Sequence, residues 1–439
     1  MSDLSRTTRP RNASRRQFIK TTSAAVAGGA LASSLNISRA AYAGGDDQIK
    51  IALIGCGGRG AGAATQALST KGNVKLIALA DAFRDNLENK RKGLKAQFPD
   101  RVDVPDERCF VGFDAYKNAI DSGVDLVILA TPPGFRPLHF EAAVDAGKHV
   151  FMEKPVAVDA AGIRRVLAAA EKSKQKSLAV GVGLQRHHQA VYRETIARLQ
   201  EGQIGDILLM RAYWNGSRPW FRPRQDGQTE MEYQMRNWYY FCWICGDHIV
   251  EQHIHNLDVI NWIKGGYPVS ANGIGGRQLR NRKDSGDIFD HHCVEFTYAD
   301  GSKMLSQCRH MPGCWNQVAE FAHGTKGTVH VGNGVIEGEN PWRYRGTRPD
   351  PYQVEHDDLF ASIRAGKPYN EAENGAKSTM TSIFGRMATY SGKVLTWEQA
   401  LGSKIELHPE TYAFDAAPPV APDKSGNYPL PTPGVTRVV

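Results

Sequence analysis

The sequence predicts an α/β fold: a doubly wound parallel sheet first, then an α+β domain with an open, mostly antiparallel sheet. Two observations carry the first half. Strand-length apolar runs alternate with helical patterns between residues 48 and 184, and a glycine-rich turn closes the first run. A third observation carries the second half: beyond residue 207, short apolar runs follow one another with turn residues between some of them.

The first run is Ile49–Ile54. It enters Gly55-Cys56-Gly57-Gly58-Arg59-Gly60, which fits G-x-G-x-x-G, and an Ala-rich helical pattern follows from Ala61 to Leu68. A second run, Val74–Ala80, ends in Asp81, 21 residues after Gly60. Strand, glycine turn, helix, strand and acid stand in the order of a Rossmann dinucleotide unit. Gly55 allows the tight turn, Gly57 lets a pyrophosphate approach the backbone, and Gly60 lets the helix pack close. Gly58 and Arg59 open the helix, whose free N–H groups suit phosphate. Asp81 is placed to accept hydrogen bonds from ribose hydroxyls. A 2′-phosphate would meet its charge, so NAD is expected rather than NADP, with Arg84 as the one feature that favours the phosphate.

Alternation continues. Asp125–Thr131 reads as a buried strand followed by Pro132-Pro133, Pro137–Ala146 as a helix, and Val150–Met152 as a strand that ends in Glu153-Lys154-Pro155. A helix over about 159–172 and a strand over 177–184 complete the sheet. Ligands sit at the carboxyl ends of such strands, where Gly55, Asp81, Thr131, Glu153 and Lys154 all fall.

The second domain is read at 185–407. Gln185-Arg186-His187-His188 follows the last parallel strand. Strands are expected at 207–214, 294–298, 303–309, 318–323 and 328–331, with Ala299-Asp300-Gly301-Ser302 as a hairpin turn. Residues 213–243 hold ten aromatics, Trp214 among them, interleaved with Arg218, Arg222, Arg224 and Arg236. Such a cluster serves a sugar, whose C–H faces stack on rings, or an interface. Ile249, Val250, Ile254, Leu257 and Ile260 have helical spacing, which places Glu251 and His255 one turn apart on one face. Glu251, His253, His255 and Asp258, with His248 near, offer metal-ligating groups. Residues two apart diverge around a helix, so no metal site is expected. Residues 408–439 form a Pro-rich tail with seven prolines from Pro409 on, expected to be extended and laid over a neighbour.

Charge and length bound the rest. The 439 residues carry a net charge of +8, but residues 1–43 hold seven Lys/Arg and one acid, leaving 47 basic and 45 acidic residues beyond. That balance excludes a nucleic-acid footprint. The 1–43 segment has the plan of a twin-arginine export signal: Ser14-Arg15-Arg16-Gln17-Phe18-Ile19-Lys20, an apolar Ala/Gly/Ser run, and Ala41-Tyr42-Ala43 for cleavage. An exported, periplasmic protein starting near Gly44 is expected. The NAD-binding domain is then 44–184, and no membrane span is expected after cleavage. The seven cysteines are odd in number. Cys242-Trp243-Ile244-Cys245 has redox spacing but an aromatic setting, so buried thiols are expected.

The glycine turn, the acid after the second strand and Glu153-Lys154-Pro155 after the fifth together resemble the Gfo/Idh/MocA oxidoreductases, over roughly residues 48–400. The resemblance implies that Lys154 lies beside the nicotinamide and hydrogen-bonds the reacting hydroxyl. The family's second motif is an acid, three residues, a catalytic histidine, two residues and Asp. It falls on Glu251, His255 and Asp258, with Glu251 where aspartate is usual and His253 where glycine is common. The resemblance further implies a sugar or polyol substrate near Arg186 and His187, Trp214 and Asp258, and a homo-oligomer built through the second domain's sheet. His255 then removes the hydroxyl proton, Lys154 steadies the oxygen, and Glu251 orients His255. Export favours an NAD that stays bound and is reset by a second substrate. Two other readings share this fold: an NAD-dependent glycosidase or lyase working through a transient 3-keto sugar, and a non-catalytic sugar sensor.

Overall fold

A computed structural model describes residues 47–439, so the export signal read at 1–43 lies outside the described residues. Within them the first sheet has six parallel strands: β1 (Ile49–Ile54), β2 (Val74–Asp81), β3 (Cys109–Val111), β4 (Leu126–Leu129), β5 (His149–Met152) and β6 (Val180–Val182). Their spatial order is β3-β2-β1-β4-β5-β6, and every neighbour is parallel. The chain direction of strand order reverses between β1 and β4, which opens a ligand crevice at their carboxyl ends. Near-continuous Val, Ile, Leu and Ala in β1, β2 and β4 follow from burial on both faces.

The crossovers are α1 (Gly58–Ser69), α2 (Arg84–Gln97), α3 (Ala115–Asp121), α4 (Arg136–Asp145) and α5 (Ala160–Gln175). α1 packs through Gly60, Ala63, Ala64 and Ala67. A β-carbon at Gly60 would lie 2.0 Å from the Gly55 carbonyl, so only glycine lets α1 start this close to β1. α5 starts at Asp159, whose carboxylate accepts from Gly162 N–H and caps it.

After α6 (Ala190–Gln200) the second sheet begins with β7 (Ile207–Gly216). Three short helices, α7 (Glu230–Arg236), α8 (Cys242–Cys245) and α9 (His248–Glu251), lead into α10 (Ile254–Lys264). Then come β8 (Ser270–Gly276), β9 (His291–Thr297), β10 (Lys303–His310), β11 (Gln317–Gly324), β12 (Gly327–His330), β13 (Val335–Gly338) and β14 (Trp342–Arg343). After α11 (Pro351–Arg364) and α12 (Ala372–Ser391), β15 (Leu395–Thr396) and α13 (Trp397–Leu401) end the regular structure. The nine strands run β14-β13-β12-β11-β7-β10-β9-β8-β15, antiparallel except for β10 beside β7. The expected open, mostly antiparallel sheet is present, with its 298–302 hairpin closed by Gly301 N–H to the Tyr298 carbonyl at 2.9 Å.

Three features differ from the sequence reading. The 249–260 helical pattern is two helices, because Gln252 and His253 break it between α9 and α10. The segment around α11 returns to the first sheet: Leu359, Phe360 and Ile363 join its core, and Val180 N–H donates to the Tyr369 carbonyl at 3.0 Å. The Pro-rich tail is extended as expected, but it lies on its own chain. Gln234 donates to the Val420 carbonyl at 2.7 Å, Thr229 to the Phe414 carbonyl at 2.5 Å, and Ser403 to the Val438 carbonyl at 2.8 Å. Polar donors of the second domain thus satisfy a tail that has no sheet partner of its own. No described helix is long and apolar enough to cross a membrane.

Candidate active site

One cleft of about 750 Å³ runs across the carboxyl ends of β1, β2, β4 and β5 and under the second domain. Its first end is built by the glycine turn. Gly55 has φ +102°, and a β-carbon there would sit 2.5 Å from the Ala130 and Thr131 backbone. At Gly57 and Gly58 a β-carbon would meet no protein atom within 4 Å, so the backbone faces the open cleft. That bare stretch at the start of α1 fits a pyrophosphate. Asp81 borders it; its carboxylate takes Cys56 N–H at 2.6 Å and Phe83 N–H at 2.8 Å. Burial raises its carboxyl above the ordinary range, and those two N–H groups oppose the rise. Phe83, Asn86, Lys90 and Phe113 wall this end. The residues present therefore fit an NAD.

Thr131 and Glu153 lie where the sheet pattern put them, and a residue the sequence did not flag ties them together. Arg136 is almost fully buried and donates to the Thr131 carbonyl at 2.5 Å and the Glu153 carbonyl at 3.1 Å. Among the described residues it has no carboxylate partner, and burial lowers its guanidinium to about 10. Nothing in its local sequence marks it. Arg59 lines the cleft, but its guanidinium pairs with the Glu153 carboxylate and lies 3.7 Å from Glu355. It thus braces the Glu153–Lys154 turn through its side chain.

At the other end Lys154, Glu251, His255 and Trp214 converge on the same cleft. Lys154 Nζ donates to the Glu251 main-chain carbonyl at 2.5 Å and to Glu251 Oε1 at 3.1 Å. Burial raises the Glu251 carboxyl, and Lys154 opposes the rise. Glu251 makes no hydrogen bond to His255, whose Nδ1 is buried without a partner. The break at Gln252–His253 turns the two residues apart, so the expected Glu251 orientation of His255 is corrected: the acid serves Lys154. His255 is placed instead by Trp214, with ring centroids 5.9 Å apart and planes 25° from parallel. Burial and then the Lys154 and Arg186 charges hold the imidazole well below its ordinary pKa, which leaves it neutral and able to accept a proton.

The remaining expected residues divide. Arg186 borders the cleft, yet its guanidinium is engaged by the buried Glu320 of β11. His187 and Asp258 do not line the cleft. They pair with each other at 2.8 Å, and Asp258 also takes Ser378 Oγ at 2.7 Å and Asn374 Nδ2 at 3.2 Å. His187 stacks on Trp262 behind α10. This correction has a simple cause: three residues beyond His255, Asp258 is rotated about 60° around α10, toward Asn374 and Ser378 of α12. His253 turns to Ser306 Oγ at 2.8 Å, so the metal-ligating groups do not converge. Asp247, His248 and His292 do lie together, all buried. The Asp247 carboxylate there already accepts His248 Nδ1 at 2.8 Å, Phe289 N–H at 2.9 Å and Tyr390 OH at 2.7 Å. It is a hydrogen-bond hub behind the site. All seven cysteines are free; Cys242 and Cys245 are buried.

The aromatic segment supplies more of the wall than its composition revealed: Trp220, Arg222, Trp238 and Tyr239 line the cleft, with Trp220 43% exposed. Their grouping was legible; which of the ten aromatics face the cleft was not.

Residues 49–182 match the family model of the Gfo/Idh/MocA oxidoreductases, described as an oxidoreductase family with an NAD-binding Rossmann fold. A scyllo-inositol 2-dehydrogenase (NAD(+)) of Bacillus subtilis is 22% identical over 289 residues, 65% of this chain and 75% of that protein. An inositol 2-dehydrogenase of Acidothermus cellulolyticus is 26% identical over 56% of this chain and 61% of its own length. Among solved structures, the aldose–aldose oxidoreductase of Caulobacter crescentus with glycerol superposes with a TM-score of 0.63 at 18% identity. It matches 80% of this chain and 100% of that one. The scyllo-inositol dehydrogenase of Lactobacillus casei with NAD(H) and scyllo-inositol gives 0.61 at 20%, over 80% and 99%. At these identities the structural likeness speaks for the fold.

Proposed function

We propose that this chain, an NAD-binding oxidoreductase by its Gfo/Idh/MocA-family Rossmann domain, transfers hydride between a CH–OH carbon of a sugar, polyol or glycoside and its nicotinamide cofactor. The observation that carries the reading is the meeting of Lys154, Glu251, His255 and Trp214 at one end of a cleft whose other end is the glycine turn. The inositol dehydrogenases among its relatives support a polyhydroxy substrate.

NAD, when bound, supplies the hydride acceptor. The chain's own residues do the rest. Neutral His255 takes the proton of the reacting hydroxyl. Lys154 has two of its three N–H bonds directed at Glu251, which leaves the third to hold the reacting oxygen as charge develops on it. Trp214 and Trp220 offer ring faces to the C–H faces of a sugar. Arg59, Glu153 and Arg136 hold the turn that aims Lys154.

Export through the twin-arginine signal and retention of the cofactor belong to this proposal, as does a homo-oligomer. The outer face of the nine-stranded sheet, opposite α12, has Ile274 and Leu305 exposed, which supports this face as the one that would meet a second copy of the chain. Light scattering that gives a monomer would remove that part.

The test is absorbance of the purified chain, with no added nucleotide, before and after addition of sugars, cyclitols and glycosides. A reduced-nicotinamide band with one of them is expected. Protein that releases no NAD on denaturation and reduces added NAD with none of them would sink the reading.

A further inference from the structure

Buried polar atoms are almost always paired, and an unpaired one is costly. Four unpaired atoms belong to side chains that line the cleft: Gln185 Oε1, the Tyr239 hydroxyl, Glu251 Oε2 and His255 Nδ1. Tyr239 is only 3% exposed. Its ring is fixed by Trp238 and His310, at centroid distances of 5.3 and 5.7 Å. Burial, and after it the Glu251 charge, push its phenol well above the ordinary range, so it stays a donor. The Tyr239 phenol lies in side-chain contact with the Glu251 carboxylate, a contact that raises the phenol and lowers the acid, but it falls short of a well-formed hydrogen bond, and the hydroxyl and Glu251 Oε2 both stand without one among the described residues.

A donor and an acceptor left side by side are complementary to a group that is both. A hydroxyl is that group. We propose that Tyr239 and Glu251 clamp a second substrate hydroxyl: the phenol donates to its oxygen, and it donates to Glu251 Oε2. Glu251 Oε1 is held by Lys154, which holds the reacting oxygen. The two hydroxyls thus lie against one carboxylate and one ammonium, within the reach of neighbouring carbons. The inference rests on the dehydrogenase reading above and narrows its substrate to a vicinal diol, such as a sugar or cyclitol ring carries. No covalent step is added, and Tyr239 keeps its proton throughout.

The experiment uses the full chain. Initial rates of NAD reduction are measured with myo-inositol, D-glucose and methyl β-D-glucopyranoside, then with the deoxy derivatives of whichever is oxidised fastest. Tyr239→Phe keeps the ring and removes the donor. It is expected to lower kcat/KM about 10–100-fold on the parent compound, with NAD binding unchanged. On the derivative that lacks the neighbouring hydroxyl, wild type should fall by a similar factor and Tyr239→Phe should fall no further. A variant within twofold of wild type on the parent, or one that adds its full loss on the deoxy derivative, overturns the clamp. If Tyr239→Phe melts far below wild type, Glu251→Gln takes its place, with the same non-additivity expected and the same outcome overturning it. Wild type that oxidises none of the compounds, as chain or with added NAD, removes the dehydrogenase reading itself and the clamp with it.

Discussion

Lys154 Nζ donates to Glu251 twice, at 2.5 Å to the main-chain carbonyl and at 3.1 Å to the carboxylate. One ammonium therefore joins the turn after β5 to the end of α9 and pins the second domain's acid against the first domain's cleft. The pair is nearly buried on both sides, with side chains 11% and 9% exposed. Removing one member leaves the other charge uncompensated, which is more costly than a surface pair.

Lys154→Ala should therefore lose about 100–1,000-fold in kcat, the range for deleting one donor to a developing oxyanion. NAD binding should persist, because the glycine turn and Asp81 are remote from it in the cleft. Single-turnover reduction of bound NAD with the best sugar, beside equilibrium binding of NAD, separates the two effects. A variant that reduces bound NAD at the wild-type rate would count against the assigned role.

The pH dependence of His255 has a definite sign. Its imidazole is held well below the ordinary value by burial and by the Lys154 and Arg186 charges. The base form is then present down through pH 6.5 and below. The kcat/KM profile should stay flat from pH 8 to beneath pH 6.5 on its acid side. An acid limb centred at or above 6.5 would show that the group titrating is not a histidine in this environment.

Much of this geometry was legible because it rests on backbone demands that specific residues meet. Gly55, Gly60 and Asp81 could be placed by spacing alone, since a turn at positive φ and a close helix approach tolerate little else. Lys154 and His255 came from motif spacing within the family frame. The Glu251–His255 relation failed because helical periodicity says nothing about a two-residue break such as Gln252–His253. Arg136 was invisible: its partners are carbonyls, which any sequence has. α12 was missed because its small and polar residues show little amphipathic contrast, being buried almost all round between α5, α10 and the second sheet.

The tail is predicted to matter for the cofactor. Phe83 and Phe113 line the cleft at its Asp81 end, and Phe414 of the tail packs on both, at centroid distances of 5.2 and 4.8 Å. Tyr412 packs on Phe113 and Phe135 at 6.1 and 5.4 Å. Phe414→Ala should cost about 3 kcal/mol at most, the lower end of the range for truncating a buried aromatic. It should also speed NAD release by loosening this wall. Stopped-flow dilution of the loaded chain reads the release rate. An unchanged rate with lowered stability would confine the tail to a structural role.

Acid should unfold this chain through histidines held neutral. Burial lowers His139, His253 and His356 to about 3 and His292 to about 4, and it depresses His255 and His310 as well. Below about pH 6.5 the unfolded chain binds protons at these positions and the native chain refuses them, so stability falls as pH falls. Four carboxyls act in the opposite sense. Asp287 is pushed up to about 7, and Asp81, Glu251 and Glu355 are raised too. They hold protons in the native state that the unfolded chain has released, so they add stability on the acid side and lose it as pH rises. The depressed histidines outnumber the raised carboxyls, so unfolding takes up protons near pH 5.5 and stability falls as pH falls. Urea midpoints from pH 7.5 to 5 measure the slope. His253→Gln removes one titrating group, and where it folds the slope should flatten by about 1.4 kcal/mol per pH unit. A midpoint that stays level over that range would mean that the buried imidazoles gain their protons inside the fold.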